Sequence, residues 1–230
     1  NRKGFLNGHT PFSAYLAFLS VLTAALFNFK FIALSNERSS NEGNVKYKGR
    51  VINHQYSKSF EFEKKFREYT KKYLAKNIEY FSFLRPLYEL QIAEIFSKFP
   101  KYFPVFLSCN EAYKTYSGKK KQSGTWCGKC PKCLFVYIIF SPFVAQKTLE
   151  KIFKKNLLKD KSLKPLMEQL SGKRGFKPFE CVGTPQEVAA ALSLLGRAKD
   201  HREADKILRS WNNHNFVPPA LARILKNSLA

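Results

Sequence analysis

Apolar residues near the start of the chain form one long block that predicts a helix followed by a strand. Thr10 and Pro11 are typical of an N-cap and the first helical position, so we expect a buried helix that ends at about Phe27. The apolar residues 29–34 come directly after it. A short apolar run without alternation is typical of a strand that is buried on both faces, as in a parallel sheet covered by helices.

The same order of elements is repeated in the next stretch of the chain. A helix capped by Ser57 or Ser59 is predicted before a second strand, residues 78–84, and a helix over residues 86–99 follows it. Helices and strands that alternate in this way favour an α/β fold with a parallel sheet.

A helical pattern dominates the carboxyl-terminal part of the chain. Amphipathic helices are predicted over residues 185–195 and 202–211, with a short one from Pro219, after a buried apolar element and a Lys-rich segment. We therefore predict two domains. Residues 1–134 form an α/β domain with a cysteine knob, and residues 135–230 form a mostly helical domain.

The net positive charge of the chain favours polyanionic partners but does not distinguish among them. The formal net charge is +23, from 40 Lys and Arg against 17 Asp and Glu. Such a field attracts polyanions, namely nucleic acid, anionic lipid or phosphorylated metabolites, but Lys residues on solvated helix faces explain the same composition. With 44% hydrophobic residues and 22 Phe, the chain is not of the disordered class.

Two features bear on the compartment and on membranes. Residues 12–29 carry no charge. They include polar side chains and number only about 18, the short end of the spanning range, so we expect no membrane insertion. No secretory signal precedes the five Cys, which favours reduced thiols and a cytoplasmic protein. The first residue is Asn1, and we expect the chain to begin inside a longer protein.

Three thiols occur at a spacing that is typical of a metal site. Cys127, Cys130 and Cys133 follow the pattern Cys-x2-Cys-x2-Cys, in which Gly128 permits the backbone angles of a tight turn. Cys109 is the natural fourth ligand. Zinc prefers closed sites of four thiolates when its role is structural, so we predict a structural Zn²⁺ site. An iron–sulfur cluster, which uses the same ligands, and a redox disulfide are the alternatives.

A dense polar loop, residues 35–44, follows the first predicted strand. In open α/β sheets, ligands bind at the carboxyl ends of the strands, so this loop is a candidate binding site. An ordinary solvent-exposed connection is the alternative interpretation.

The order of three segments resembles the end of the PP-loop ATP pyrophosphatases. The segments are FSFLRPLYELQIAEIF (residues 81–96), LSCNEAY (107–113) and CGKCPKC (127–133). In that superfamily, 7-cyano-7-deazaguanine synthase carries such a zinc knob. The resemblance implies a PP-loop, or adenine nucleotide alpha hydrolase-like, sheet. The Ser-Gly-Gly-x-Asp-Ser loop that grips ATP is absent from this sequence, so we expect the sheet to be truncated at its amino terminus.

A closer resemblance is to the UDP-N-acetylmuramoyl-L-alanyl-L-glutamate epimerase family. It rests on NGHTPFSA (residues 7–14), ALSNERSSNEGN (33–44), NHQYSKSFEFE (53–63), CGKCPKCLFV (127–136) and KPFECVGT (177–184). Members use ATP to invert the terminal glutamate of a cell-wall precursor, releasing AMP and pyrophosphate. The resemblance implies ATP and Mg²⁺ as cofactors and the UDP-MurNAc-dipeptide as the partner. The positive charge suits this polyanionic substrate without nucleic acid.

The resemblance also directs attention to particular side chains. Cys181 could carry a proton or be a buried structural cysteine, His9 could act in catalysis or cap a helix, and Glu37 could bind Mg²⁺ or cap a turn. These three are the candidate catalytic residues. The candidate contacts to substrate or ATP are Asn7, Ser35, Asn36, Arg38, Ser39, His54, Gln55 and Lys58.

Two other functions remain in competition with the epimerase. One is an ATP-dependent enzyme of the same superfamily that modifies a nucleobase or tRNA. The other is a zinc-stabilised module that binds nucleic acid without catalysis, whose affinity would fall steeply with salt. For the epimerase, we expect residues 1–230 alone to be inactive.

Overall fold

The computed structural model of the chain describes residues 11–43, 45–113, 124–178, 180–196 and 201–229. The helices are α1 (Phe12–Leu26), α2 (Phe60–Tyr69), α3 (Glu89–Ser97), α4 (Asn110–Tyr113), α5 (Pro131–Phe140), α6 (Gln146–Phe153), α7 (Lys164–Leu170), α8 (Pro185–Leu195), α9 (Arg202–Leu208) and α10 (Pro219–Asn227). The strands are β1 (Phe31–Leu34), β2 (Val45–Tyr47), β3 (Arg50–Ile52) and β4 (Glu79–Ser82). Short 3-10 turns lie at Arg38–Asn41, Tyr56–Lys58, Pro100–Tyr102 and Lys161–Leu163, and a π-helical turn lies at Thr70–Leu74.

The chain packs as two compact units. The sheet unit contains the described residues 11–87 and 211–229, and the helical unit is Tyr88–Ser210. The predicted domains, 1–134 and 135–230, divide the chain elsewhere. They stay a prediction, because packing within one chain does not test which stretch can fold alone.

Strands β1 and β4 pair in parallel, from Phe31 opposite Glu79 to Leu34 opposite Ser82. This confirms the predicted α/β organisation with a parallel pair. Helix α2 lies between them in the chain and begins as predicted, because the hydroxyl of Ser59 accepts a hydrogen bond from the backbone N–H of Phe62 (3.2 Å). The PP-loop type of sheet stays a prediction.

The antiparallel hairpin of β2 and β3 was not predicted. Its two central residues, Lys48 and Gly49, have φ angles of 47° and 75°. Positive φ at both positions is typical of the type I′ turn, whose twist matches that of the flanking strands. The hairpin lies directly after the predicted polar loop, residues 35–44, in a stretch for which no element was predicted.

Burial of the first helix and strand was predicted wrongly. Helix α1 buries only Ala17, Val21 and Ala24, whereas Leu22 is 55% exposed. Phe31 in β1 is 58% exposed. The reason is that, within the described residues, β1 pairs with β4 alone, so too few neighbours are present to cover an apolar segment on all sides.

The core of the helical unit is built around α5. Every side chain from Cys133 to Phe140 is buried, which confirms the predicted buried element. Helix α8 has the predicted bounds and begins with a capping box, in which the Thr184 and Glu187 side chains bond to each other's backbone N–H groups. Helix α9 ends at Leu208, three residues earlier than predicted. Among the described residues, no helix is both long and apolar enough to span a bilayer.

Candidate functional site

Two polar segments meet beyond the carboxyl ends of β1 and β4, and we call them the polar edge (residues 35–41 and 53–59). Asn53 donates a side-chain hydrogen bond to the carbonyl of Ser40 (2.8 Å), and Asn41 accepts one from the backbone of Phe60 (2.6 Å). The Ser40 hydroxyl donates to the carbonyl of Lys58 (3.1 Å). The structure therefore brings the predicted polar loop together with the candidate contacts His54, Gln55 and Lys58.

A buried arginine that was not predicted holds the polar edge in place. Arg85 is fully buried, and its guanidinium donates to the carbonyl of Glu37 (2.8 Å), the hydroxyl of Ser40 (2.7 Å) and the carbonyl of Lys58 (2.5 Å). It also forms an ion pair with Glu63 (3.1 Å), which is itself buried. The available signal was a charged residue directly after the predicted apolar strand, residues 78–84.

The predicted residues of the first segment lie at different depths. Ser35 is exposed. The Asn36 side chain donates to the hydroxyl of Ser82 (3.1 Å), at the end of β4. Glu37 accepts a hydrogen bond from Ser39 (3.3 Å), whose side chain is buried. Glu37 is half-buried, so its carboxylate combines a fixed backbone with partial access to solvent.

The remaining candidates of the polar edge are Arg38, His54, Gln55 and Lys58. Arg38, His54 and Lys58 are half-buried, while Gln55 is buried. The backbone N–H of Arg38 donates to the carbonyl of Leu87 (2.9 Å), which fixes the start of its 3-10 turn. Two further candidates, Asn7 and His9, lie outside the described residues, so their roles stay predictions.

The four predicted metal ligands lie together in the helical unit. The sulfur atoms of Cys109, Cys127, Cys130 and Cys133 are all within 4.8 Å of one another. The closest pairs are Cys130–Cys133 (3.5 Å), Cys127–Cys133 (3.6 Å) and Cys109–Cys130 (3.9 Å). Zinc–sulfur bonds of about 2.3 Å in a tetrahedron place the sulfurs about 3.8 Å apart, so the spacing fits a single ion. Thiolates on different iron atoms of a cluster point apart and need a wider spacing.

Local structure explains why these sulfurs converge. Gly128 has a φ of 65°, which confirms the predicted turn in the left-handed region. Cys130 then occupies the N-cap of α5, Pro131 starts the helix, and Cys133 lies in its first turn. Cys109, which is fully buried, comes from the separate segment just before α4.

Contacts among these sulfurs and their burial shift the pKa values of three of the four thiols in different directions. Contact with Cys133 lowers the pKa of Cys130 to about 5, while the same contact and burial raise the pKa of Cys133. Burial raises the pKa of Cys127, although backbone hydrogen bonds from Lys129 and Cys130 to its sulfur lower it in part. A divalent cation among the four sulfurs stabilises the thiolates and displaces the remaining protons.

The fifth cysteine, Cys181, lies outside this cluster and is half-buried. It is in the loop that leads to α8, and its backbone carbonyl accepts a hydrogen bond from the Lys132 side chain. Its role as a proton carrier stays a prediction.

Comparison with known proteins identifies relatives across most of the chain. Residues 1–83 match the family model of the MurL N-terminal domain, and residues 105–220 match that of the MurL C-terminal domain. Proteins of Salinispora tropica and a Micromonospora species are each 39% identical over 204 residues, or 89% of this chain, and one of Xanthomonas oryzae pv. oryzae is 36% identical over 203 residues, or 88%. Each is named UDP-N-acetyl-alpha-D-muramoyl-L-alanyl-L-glutamate epimerase.

The resemblance to this epimerase family is therefore confirmed. The alignments cover 44%, 45% and 45% of these three relatives, so the chain spans less than half of their length. No solved structure matches the chain.

Proposed function

The chain belongs to the MurL family, and from this membership we propose that it forms part of an enzyme that epimerises the terminal L-Glu of UDP-MurNAc-L-Ala-L-Glu to D-Glu. The observation that carries the proposal is the 39% identity over 204 residues with relatives named for this reaction. The substrate bears a diphosphate and carboxylates, which suits a chain of net charge +23. ATP and UDP-linked substrates occur in the cytoplasm, where we expect the enzyme to act.

ATP makes the inversion chemically feasible. The Cα–H next to a free carboxylate is a very weak acid, because the carbanion forms beside a negative charge. We propose that the carboxylate attacks the α-phosphorus of ATP and displaces pyrophosphate. The resulting acyl adenylate can accept charge as an enolate when a base removes the proton. A proton returns on the opposite face, and water then cleaves the anhydride, releasing AMP and restoring the carboxylate.

We assign the binding of phosphate and Mg²⁺ to the polar edge. In this proposal the strands β1 and β4 belong to a PP-loop-type sheet, and the polar edge lies at their carboxyl ends. Arg38 contacts phosphate or carboxylate, and Glu37 binds Mg²⁺. Two features support this assignment. The edge lies at the carboxyl ends of parallel strands, where α/β sheets bind ligands. Its backbone is also held at Glu37 and Lys58 by the buried Arg85 guanidinium, which limits reorganisation on binding.

The four-cysteine cluster holds a structural Zn²⁺ in this proposal. Two observations support this assignment. The separations of the sulfur atoms fit one ion, and all four candidate ligands are cysteines, as in structural zinc sites. Cys181, His9 and Glu37 remain the candidates for proton transfer.

The decisive experiment is turnover by the full-length enzyme. UDP-MurNAc-L-Ala-L-Glu is incubated with ATP and Mg²⁺ in D₂O, and the products are analysed for D-Glu, pyrophosphate and deuterium at Cα. We expect one deuterium at Cα in each D-Glu formed and pyrophosphate release that depends on this substrate. Residues 1–230 alone should release none. Pyrophosphate release driven equally well by tRNA or a deazapurine acid would transfer the assignment to the nucleobase-modifying enzymes.

Substitutions in the polar edge test the assigned roles. Arg38→Ala should lower kcat/KM by about ten- to hundredfold, because it removes a charge-assisted contact worth roughly 1.5–3 kcal/mol. Glu37→Gln should lower activity in a way that extra Mg²⁺ partly restores. Arg50→Ala, which removes an exposed arginine of β3 in the same unit, is the control for net charge.

A melting curve for each variant separates binding from folding. We expect the melting temperature to stay nearly constant for Arg38→Ala and Glu37→Gln. Full activity in both variants would make the edge a solvated connector. A fall in melting temperature that matches the loss of activity would make it structural, and the site would then be sought around His9, Lys58 and Cys181.

A further inference from the structure

Two residues adjacent to the cysteine ligands reach the loop that carries Cys181. Asn110 follows the ligand Cys109, and its side-chain amide donates to the carboxylate of Glu180 (2.8 Å). Lys132 lies between the ligands Cys130 and Cys133, and its ammonium group donates to the backbone carbonyl of Cys181. Each half of the metal site therefore holds one member of the neighbouring pair Glu180 and Cys181.

A third contact packs the same loop against α5, the helix whose N-cap is Cys130. Gly183 packs so closely on α5 that a Cβ atom there would lie 2.7 Å from Phe135 Cζ. Phe135 is fully buried, and the Lys132 ammonium group lies 5.7 Å from the centre of its ring. Only glycine allows this approach without displacing Phe135, and the loop is thereby packed against the amino-terminal half of α5.

The far end of the loop has its own anchor. The backbone N–H of Thr184 donates to the Glu187 carboxylate (2.7 Å), which also accepts from the backbone of Leu90 (3.2 Å). Lys177 donates to the carbonyls of Val182 and Gly183, at 3.0 Å each. The loop is therefore held at both ends, and the contacts of Asn110 and Lys132 determine where the pair between them is placed.

We propose that the metal site positions Glu180 and Cys181 for the reaction, with Asn110 and Lys132 as positioning residues. A bound metal ion would hold Cys109 at a fixed distance from Cys130 and Cys133, which belong to a separate segment of the chain. It thereby fixes the separation of the two donors that hold the pair. The catalytic consequence of this inference rests on the proposed function. The coupling between the metal site and the loop of Glu180 and Cys181 does not depend on the reaction.

Hydrogen–deuterium exchange on this chain measures the coupling directly. In the metal-loaded protein, Lys132→Met should speed exchange in the peptide covering residues 177–184 by about tenfold, the factor expected from loss of one charge-assisted hydrogen bond. Asn110→Ala should act in the same direction at an exposed position that tolerates the change. Lys132→Arg should restore slow exchange. Lys129→Met, which removes an exposed lysine between two ligands, is the matched control and should change nothing.

Metal content and metal removal complete the exchange experiment. Elemental analysis should show the same metal content in all four variants, because none removes a thiolate. Chelation of the wild-type metal should speed exchange in residues 177–184 at least as much as Lys132→Met does. Unchanged exchange in Lys132→Met and Asn110→Ala, or an equal effect of Lys129→Met, would overturn the inference.

Kinetics of the full-length enzyme separate this inference from the proposed function. Lys132→Met should lower kcat about tenfold with little change in KM, because its contact is to the Cys181 backbone and not to the substrate. Lys132→Arg should recover most of kcat. A wild-type enzyme that does not epimerise would refute the proposed function and leave the exchange result standing. If the wild-type enzyme epimerises but Lys132→Met leaves the exchange rate of residues 177–184 unchanged, only the coupling would be refuted.

Discussion

The two units differ in how far their most apolar helices are buried. In the helical unit, α5 is buried along its whole apolar length, with α3, α6, α7 and α8 packed around it. In the sheet unit, the equally apolar α1 buries three residues and exposes most of its large side chains. The comparison shows that apolar composition predicts the capacity to be buried, while the neighbouring elements decide whether burial occurs. A contiguous exposed apolar surface of this kind is typical of an interaction surface.

The units also differ in the polar groups that they bury. The sheet unit places the ion pair of Arg85 and Glu63 in its interior and uses it to hold the polar edge. The helical unit buries thiols that converge on one point. The charges of a buried ion pair compensate each other, whereas four clustered thiolates need a cation to compensate theirs. The helical unit should therefore depend on metal and the sheet unit should not.

Metal removal should produce the largest difference between the units. Structural zinc in small sites contributes on the order of 10–16 kcal/mol of apparent binding energy, so chelation should unfold the helical unit. Trp126 lies in that unit next to Cys127, and Trp211 lies in the sheet unit, so each reports on one unit. In single-tryptophan variants, emission from Trp126 should shift to longer wavelength on chelation while emission from Trp211 stays constant.

Cysteine variants provide the control for the metal experiment. Elemental analysis should show about one zinc per chain in the wild type and in Cys181→Ser, and almost none in Cys130→Ser. Iron in place of zinc would identify the alternative centre. Wild-type protein without metal, or full metal retention in Cys130→Ser, would contradict the assignment.

Matched leucine substitutions test the difference in burial. Leu134 in α5 is fully buried, so Leu134→Ala should lower the free energy of unfolding by about 2–5 kcal/mol. Leu22 in α1 is 55% exposed, so Leu22→Ala should change it by no more than about 0.5 kcal/mol. Urea titrations measure both. A cost for Leu22→Ala close to that for Leu134→Ala would mean that the face of α1 is covered in solution.

The predictable parts of the fold depend on signals that lie close together in the sequence. The cap of α2, predicted at Ser57 or Ser59, and the bounds of α8 came from local patterns, and the parallel sheet came from the order of elements along the chain. The hairpin was missed because its strands have only three residues each and contain Lys46 and Arg50, so neither shows a clear apolar pattern. Exposure of α1 was missed because burial depends on elements that no local pattern specifies.

The same distinction applies to the candidate sites. Three of the four cysteines were identified by their spacing, and Cys109, in the segment LSCNE, was chosen as the fourth ligand over Cys181. Arg85 was missed because all but one of its partners lie 22 to 48 residues away in the sequence, from Glu63 back to Glu37, the exception being Ser82. A network of this kind is set by packing, which a local motif does not encode.

The smallest expected effect concerns two carboxylates whose pKa values shift in opposite directions. Burial raises the pKa of Glu187 in the helical unit. Hydrogen bonds and charge from Lys71 and Arg67 lower the pKa of Glu79 in the sheet unit, where its carboxylate lies 2.7 Å and 2.6 Å from their nitrogens. The folded helical unit therefore holds the Glu187 proton more tightly than the unfolded chain does, and its stability falls as pH rises above the unfolded pKa. For Glu79 the sign is reversed, because the unfolded chain holds that proton more tightly.

Glu79→Gln should therefore destabilise the sheet unit in a pH-dependent way. The contribution of Glu79 is fully present above its unfolded pKa, near 4.5, the ordinary value for Glu, and is lost as pH falls through the lower folded pKa. The side chain is 37% exposed, so solvent screening limits the loss at pH 7 to about 1 kcal/mol or less. Urea titrations at pH 7, 5 and 3, with Glu68→Gln at an exposed position of α2 as the control, should show the difference from wild type shrink towards zero at pH 3. A difference that stays constant or grows at pH 3 would show that Glu79 stabilises the unit by packing, because only an ionised carboxylate attracts Lys71 and Arg67.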